Sequence, residues 1–221
     1  MPEKYGERWF YYLVPSVRSQ GGSLYEKLTA KELEGKFIVS RSVMGRNGWF
    51  PMFAAVADPY SLILRTPEED KTYTEVIEGS QVQKPHFDID GPIELRQRLS
   101  EGIISAIQDY IEENIPKDIE PRFYLIDQSD ERKASMHVIG AGITVENNEE
   151  AKRFMELIVQ RMPQDLREYV DKRVYLSIQH FRMPGCHKAG TTRVKQMPES
   201  EDEFYDQLVT AVQEGDWKIF G

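Results

Sequence analysis

Pro85-His86-Phe87-Asp88-Ile89-Asp90-Gly91 is the stretch that decides how this chain folds and what it handles. Asp88 and Asp90 stand two residues apart, so on a β-strand both carboxylates project from one face. Gly91 and Pro92 close the strand directly after them. Two acids on one strand face repel each other and are costly to desolvate unless positive charge sits between them. A divalent cation that also holds a phosphate chain meets that need. Asp-x-Asp alone is a weak signal in an acidic protein; its surroundings give it weight.

Downstream, Pro92 stands at the expected first position of a helix. Leu99, Ile103, Ile107, Tyr110 and Ile111 then recur at helical spacing up to about Asn114. Strands are predicted over residues 122–126 and 134–139, with a polar turn at 127–131. Asn147 or Asn148 caps a second helix with the face Ala151, Phe154, Met155 and Ile158, stopped by Pro163. Val174-Tyr175-Leu176 and His180-Phe181-Arg182 read as a short strand pair, and an amphipathic helix runs over about 203–212. From Pro85 the order is strand–helix–strand–strand–helix–strand, the split βαβ pattern of an α+β palm. Upstream, residues 9–14 and 37–39 read as buried strands, 24–33 as a short helix closed by Gly35, and Arg46-Asn47-Gly48-Trp49 as a turn. Residues 72–77 alternate as a strand leading towards Asp88 and Asp90. The organisation expected is an N-terminal α/β module over 1–80, a catalytic palm over 81–195 and a C-terminal helix within 196–221, together one compact unit.

Composition sets the bounds. The 221 residues are 40 % hydrophobic and 29 % charged, ordinary for a globular chain. No apolar run approaches membrane-spanning length, and the start lacks the basic-then-apolar layout of a signal peptide. A single cysteine, Cys186, excludes an internal disulfide framework and fits a reducing compartment. A net charge of −9 argues against coating nucleic acid by bulk charge. Yet residues 167–195 hold seven Lys or Arg against two acids, a local basic face suited to phosphate or to a template groove. Such a run is as readily a solvated surface.

Two further constellations bear on phosphate. Lys133, Ser135 and His137 share one strand face, with Ala134, Met136 and Val138 on the other, so an ammonium, a hydroxyl and an imidazole aim outward together. A half-exposed strand with routine polar residues would look the same. Asp171 adds a third carboxylate, and Arg182 and Lys188 add two cations around a Pro-Gly turn. Cys186, His187 and His180 lack the paired cysteines of a structural zinc site. Trp9, Tyr11, Trp49 and Phe50 could stack on bases, but core packing is the better reading. His86 is on the face of Asp88 and Asp90, where packing or hydrogen bonding is favoured over a template contact.

Asp-x-Asp, then Lys-x-Ser-x-His, then Asp-x-x-Val-Tyr with Phe-Arg and a Lys beyond it resembles the catalytic core of the archaeo-eukaryotic primase superfamily. The likeness is greatest to its primase-polymerase branch, found in eukaryotes, large DNA viruses, phages and plasmids, and it covers roughly residues 74–188. The resemblance implies an RRM-like palm with the N-terminal module packed against it, and template-dependent primer synthesis from NTPs or dNTPs on single-stranded DNA. It implies that Asp88, Asp90 and Asp171 hold two Mg²⁺ or Mn²⁺ ions. Lys133, Ser135, His137, Arg182 and Lys188 would then bind the incoming nucleotide. It further implies a fused or associated replicative helicase, no membrane, and a cytoplasmic setting in a bacterial or virus-infected cell.

Two departures from the family pattern stand out. The family often has Asp-x-Glu where this chain has Asp88 and Asp90. Thr74 stands where eukaryotic members tend to carry an aromatic residue that crowds the ribose, so ribonucleotides are expected to be accepted. Two rival readings remain. A nucleotide-sugar glycosyltransferase also uses Asp-x-Asp, but leaves Lys-x-Ser-x-His and the Arg-Lys pair unexplained. A non-catalytic, primase-like nucleic-acid-binding module would not need intact carboxylates.

Overall fold

The computed structural model describes residues 3–191 and 193–221. They form two compact units, each made from two chain segments. One takes the chain up to Val76 with His180–Glu201; the other takes Ile77–Gln179 with Asp202–Gly221. The fold is mixed α+β, built on antiparallel strand pairs.

In the first unit, β1 (Phe37–Gly45) and β2 (Gly48–Val56) form a hairpin. Gly45 lies opposite Gly48, so Arg46 and Asn47 make the turn that the sequence predicts there. Gly48 takes φ +106°, a conformation a β-carbon disfavours. The strand expected at 37–39 therefore runs on to Gly45. α1 (Pro59–Arg65) follows, with Asp58 accepting from the Ser61 N–H at 2.8 Å and proline at its start. β3 (Tyr73–Glu78) then pairs with β1, setting Thr74 opposite Ser40 and Glu75 opposite Val39. The returning strand Ile178–Arg182 borders β3 on its other side.

Two expectations fail in this unit. Residues 9–14 are not a strand: Phe10 bridges Phe53 and Tyr12 bridges Ser23, each alone. Trp9, Phe10 and Leu13 are buried while Tyr11, Tyr12 and Val14 are exposed, so burial does not alternate as a ladder requires. Nor is 24–33 one helix. Ser23 and Thr29 each form a capping box, with Glu26 and Glu32, and so begin two separate turns, Leu24–Lys27 and Ala30–Leu33. Of the four aromatics, Trp9 is core and Phe50 half-buried, whereas Tyr11 and Trp49 stand about half exposed.

The second unit holds β4 (His86–Pro92), α2 (Arg96–Asn114), β5 (Arg122–Asp127), β6 (Lys133–Ala141) and α3 (Asn148–Val159). The sheet order is β4–β6–β5 with both pairings antiparallel, so β4 and β5 run parallel with β6 inserted between them. Phe87, Ile89, Ala134, Met136 and Val138 pack against Leu99, Ile103, Ala106, Ile107 and Tyr110 of α2 and Ala151, Phe154, Met155 and Ile158 of α3. Each large side chain so buried contributes about 1.5–3 kcal/mol. The Tyr110 ring stands edge-on to Phe154, centroids 5.1 Å apart.

Three corrections follow here. Pro92 ends β4 instead of starting the helix; a 3-10 turn, Ile93–Leu95, intervenes, and α2 begins at Arg96. Residues 174–176 are not a strand. The Asp171 carboxylate accepts the Arg173 N–H at 2.8 Å, a local bond that curls Lys172–Tyr175 into a 3-10 turn. The expected fourth strand of the sheet is reduced to one bridge, Ile89 with Val170, and its supposed partner, residues 180–182, lies in the other sheet. The C-terminal helix is only Glu201–Asp206, where buried Lys84 Nζ donates to the carbonyls of Tyr205 and Asp206 at 2.8 and 3.1 Å and caps it. Trp217–Lys218 then pairs in parallel with Ile143–Thr144. Among the described residues no helix is long and apolar enough to cross a membrane.

Candidate functional site

The β4–β6 ladder sets Asp88 opposite His137, Asp90 opposite Ser135 and Pro92 opposite Lys133. Opposed residues of an antiparallel pair share a face, with β-carbons about 4.5–5.5 Å apart. The two carboxylates, hydroxyl, imidazole and ammonium therefore emerge together, on the face opposite Phe87, Ile89, Ala134 and Met136. Alternation predicts each half of this set; only the register shows that the halves meet.

Basic groups accompany the acids. Lys133 Nζ lies 2.8 Å from Asp90 Oδ2, and His137 Nε2 lies 3.8 Å from Asp88 Oδ1. Asp171 joins them through its own backbone, whose N–H donates to the Asp88 carbonyl at 2.8 Å. Arg173 grips the Asp171 carboxylate with both arms of its fork, Nε to Oδ1 at 2.9 Å and Nη2 to Oδ2 at 2.7 Å. These bonds hold the Asp171 carboxyl below its usual range. Asp171 in turn raises the Arg173 guanidinium, with smaller contributions from Asp88 and Asp90.

As the side chains stand, no three His, Cys, Asp or Glu among the described residues converge to share an ion. Arg173 spans both oxygens of Asp171, and Lys133 engages Asp90. Asp90 Oδ1, however, is buried with no hydrogen-bond partner among the described residues, a costly state for a carboxylate oxygen. Carboxylate oxygens are the donors that Mg²⁺ and Mn²⁺ prefer. Asp88 and Asp90 fit such an ion, and Asp171 fits one once Arg173 moves aside.

A buried shell fixes these strands. His86 is enclosed: its Nδ1 is 3.1 Å from the Lys84 carbonyl and its ring centroid 5.2 Å from that of Tyr175. It packs, as expected, and burial lowers its pKa. The Tyr175 hydroxyl donates to the His86 carbonyl, and burial, with Asp88 and Asp171 nearby, raises the phenol well above its ordinary value.

Thr74, Arg182 and Lys188 belong to the first unit. Thr74 Oγ1 is 2.7 Å from Ser40 Oγ and 3.3 Å from His180 Nδ1, so its hydroxyl is already engaged. Lys188 is exposed, and the Arg182 carbonyl accepts from Lys195 Nζ at 2.9 Å. Lys195 is fully buried, which pulls its ammonium down to about 7 against the opposing field of Glu75. Cys186 is enclosed too, its thiol pushed up to about 12. Sequence reading counts Arg173 and Lys195 only as members of a basic run. The Asp-x-Arg spacing at Asp171 is the signal that could single out Arg173. The run itself is divided between the units, and Arg167 donates to the carbonyls of Met162 and Gln160 at 2.9 and 2.7 Å.

No family model matches the chain. It is similar to viral proteins provisionally named helicase/primase complex protein. That of the Kenya KEN-50 isolate of African swine fever virus is 30 % identical over 212 residues, and that of the Vero-adapted Badajoz strain 28 % over 222. The Malawi Lil 20-1 isolate's protein is 28 % identical over 218 residues. Each alignment covers 87 % of this chain, but the chain spans only about a fifth of the length of these relatives (20 %, 21 % and 19 %).

Proposed function

We propose that this chain is the catalytic region of a viral-type primase or primase-polymerase, a template-dependent nucleotidyltransferase making primers on single-stranded DNA. The observation that carries this is the register of β4 on β6, which joins two carboxylates to three phosphate-binding groups on one face. The names of the similar proteins support the setting: a helicase, fused or associated, is the partner this reading takes from them. The β4–β6–β5 sheet with α2 and α3 is read as the RRM-like palm.

In this reading Asp88, Asp90 and Asp171 would hold two Mg²⁺ or Mn²⁺ ions, which when bound lower the pKa of a 3′-hydroxyl and neutralise the departing pyrophosphate. Lys133, Ser135 and His137 bind and orient the triphosphate, and Arg182 and Lys188 are assigned to it by the family resemblance alone. Thr74 leaves room beside the sugar, so NTPs are accepted as well as dNTPs. Binding of a fluorescent ATP analogue in Mn²⁺ tests the assignment. Lys133→Ala weakens it about tenfold, the loss of one charge-assisted contact. Equal affinities for wild type and variant would remove Lys133 from the site.

A second reading, a non-catalytic nucleic-acid-binding module, draws on the ion pairs of Lys133 with Asp90 and of Arg173 with Asp171, which neutralise carboxylates without any metal. Nucleotide binding unaffected by metal or by Asp88→Asn would favour it.

A further inference from the structure

Resting on the reading of Asp88, Asp90 and Asp171 as metal ligands, we propose that Arg173 is an exchangeable counter-ion. It occupies Asp171 until a divalent cation displaces it, and so sets the threshold for metal binding. Three observations carry this. The Arg173 fork takes both oxygens of Asp171, so the carboxylate cannot offer either to a cation without breaking a charge-assisted bond. The two partners differ in freedom: the Arg173 side chain is 86 % exposed while that of Asp171 is 18 % exposed. Asp171 is also anchored by its backbone to Asp88, so the arginine is the group free to leave.

The remaining basic groups are held differently. Lys133 touches one oxygen of Asp90, the Oδ2, and leaves Oδ1 without a hydrogen-bond partner among the described residues. His137 stands 3.8 Å from Asp88, too far for a hydrogen bond between those two atoms. Asp90 can thus offer its Oδ1 with Lys133 in place, whereas Asp171 must first lose Arg173. Occupation is therefore sequential: a first ion engages Asp90, and full coordination by Asp171 follows release of Arg173.

Mn²⁺ binding to the intact chain, followed by the paramagnetic resonance of free Mn²⁺, tests this without relying on turnover. Removing this exposed pair predicts that Arg173→Ala binds Mn²⁺ about two- to fivefold more tightly. Arg173→Lys, which keeps the charge but loses the fork, falls between the two. In an Asp171→Asn background the effect vanishes, so that Asp171→Asn and Asp171→Asn/Arg173→Ala bind alike. Unchanged or weaker binding by Arg173→Ala, or a gain that persists without Asp171, overturns the proposal. If that happens while Asp88→Asn still abolishes binding, the metal-site reading stands and only the role of Arg173 falls. No Mn²⁺ binding by wild type or Arg173→Ala overturns both.

Discussion

In the proposed reading Asp88 and Asp90 carry the metal chemistry, and Lys133 and His137 stand beside them. Their removal is the sharpest residue-scale prediction: Asp88→Asn or Asp90→Asn reduces nucleotide incorporation by at least about a hundredfold. The thermal midpoint should move little, because neither side chain is in the core. A variant that keeps wild-type turnover removes that residue from catalysis. Histidine chemistry predicts a pH effect of defined sign. Burial depresses the pKa of His86 and of His180 below the 6.5 of a free imidazole. The unfolded chain then binds more protons than the folded one between the depressed values and 6.5. Their contribution is therefore full above pH 6.5 and is lost as pH falls through the folded values. Urea midpoints measured across this range decline on acidification, and His86→Gln shallows that decline; an unaltered slope contradicts the assignment. Alternation along the chain made the face of Asp88, Asp90, Lys133, Ser135 and His137 legible, since a strand has only two sides. It could not reveal that Arg173 holds Asp171, because that contact depends on a turn which the sequence reading takes for a strand.

At the scale of elements, the long periodic segments were readable and the short ones were not. α2 and α3 each bury a continuous apolar stripe, and polar and apolar residues alternate along residues 86–90 and 133–138, so their physics is repeated along the sequence. Single-turn helices, isolated bridges and the 3-10 turn at Lys172–Tyr175 depend on one or two local hydrogen bonds that compete with extension. Gly91 marks where β4 meets Leu99 of α2 and the Tyr169 ring. A β-carbon there would lie 2.8 Å from Leu99 Cδ1 and 3.2 Å from the Tyr169 ring. Leu99 is fully buried and cannot swing away. Gly91→Ala is expected to destabilise the protein by about 1–3 kcal/mol, the usual cost of overpacking. It should also lower nucleotide affinity, because the strain falls on the residue after Asp90. Denaturant unfolding combined with a nucleotide titration checks both; a variant as stable as wild type contradicts the packing described.

At the scale of the whole molecule, charge governs how a template is met. A chain of net charge −9 cannot hold a polyanion by bulk attraction. The basic run at 167–195 that the sequence offers as a groove is divided between two units, and Arg167, Arg173 and Lys195 are committed to internal partners. Each single-strand phosphate neutralised adds about −0.7 to the slope of log affinity against log salt. With three of the run's seven cations so committed, binding of oligo-dT to this chain is expected to show a slope no steeper than about −3. A much steeper slope would require cations outside this run to hold the strand. The central claim, primase chemistry at Asp88 and Asp90, is most directly tested by nucleotide incorporation on unprimed single-stranded DNA with Mg²⁺ or Mn²⁺. Wild type should be compared with Asp88→Asn/Asp90→Asn. New oligonucleotides made by wild type alone are the predicted result; products of equal yield from the double variant, or none from wild type that nonetheless binds nucleotide, would contradict it.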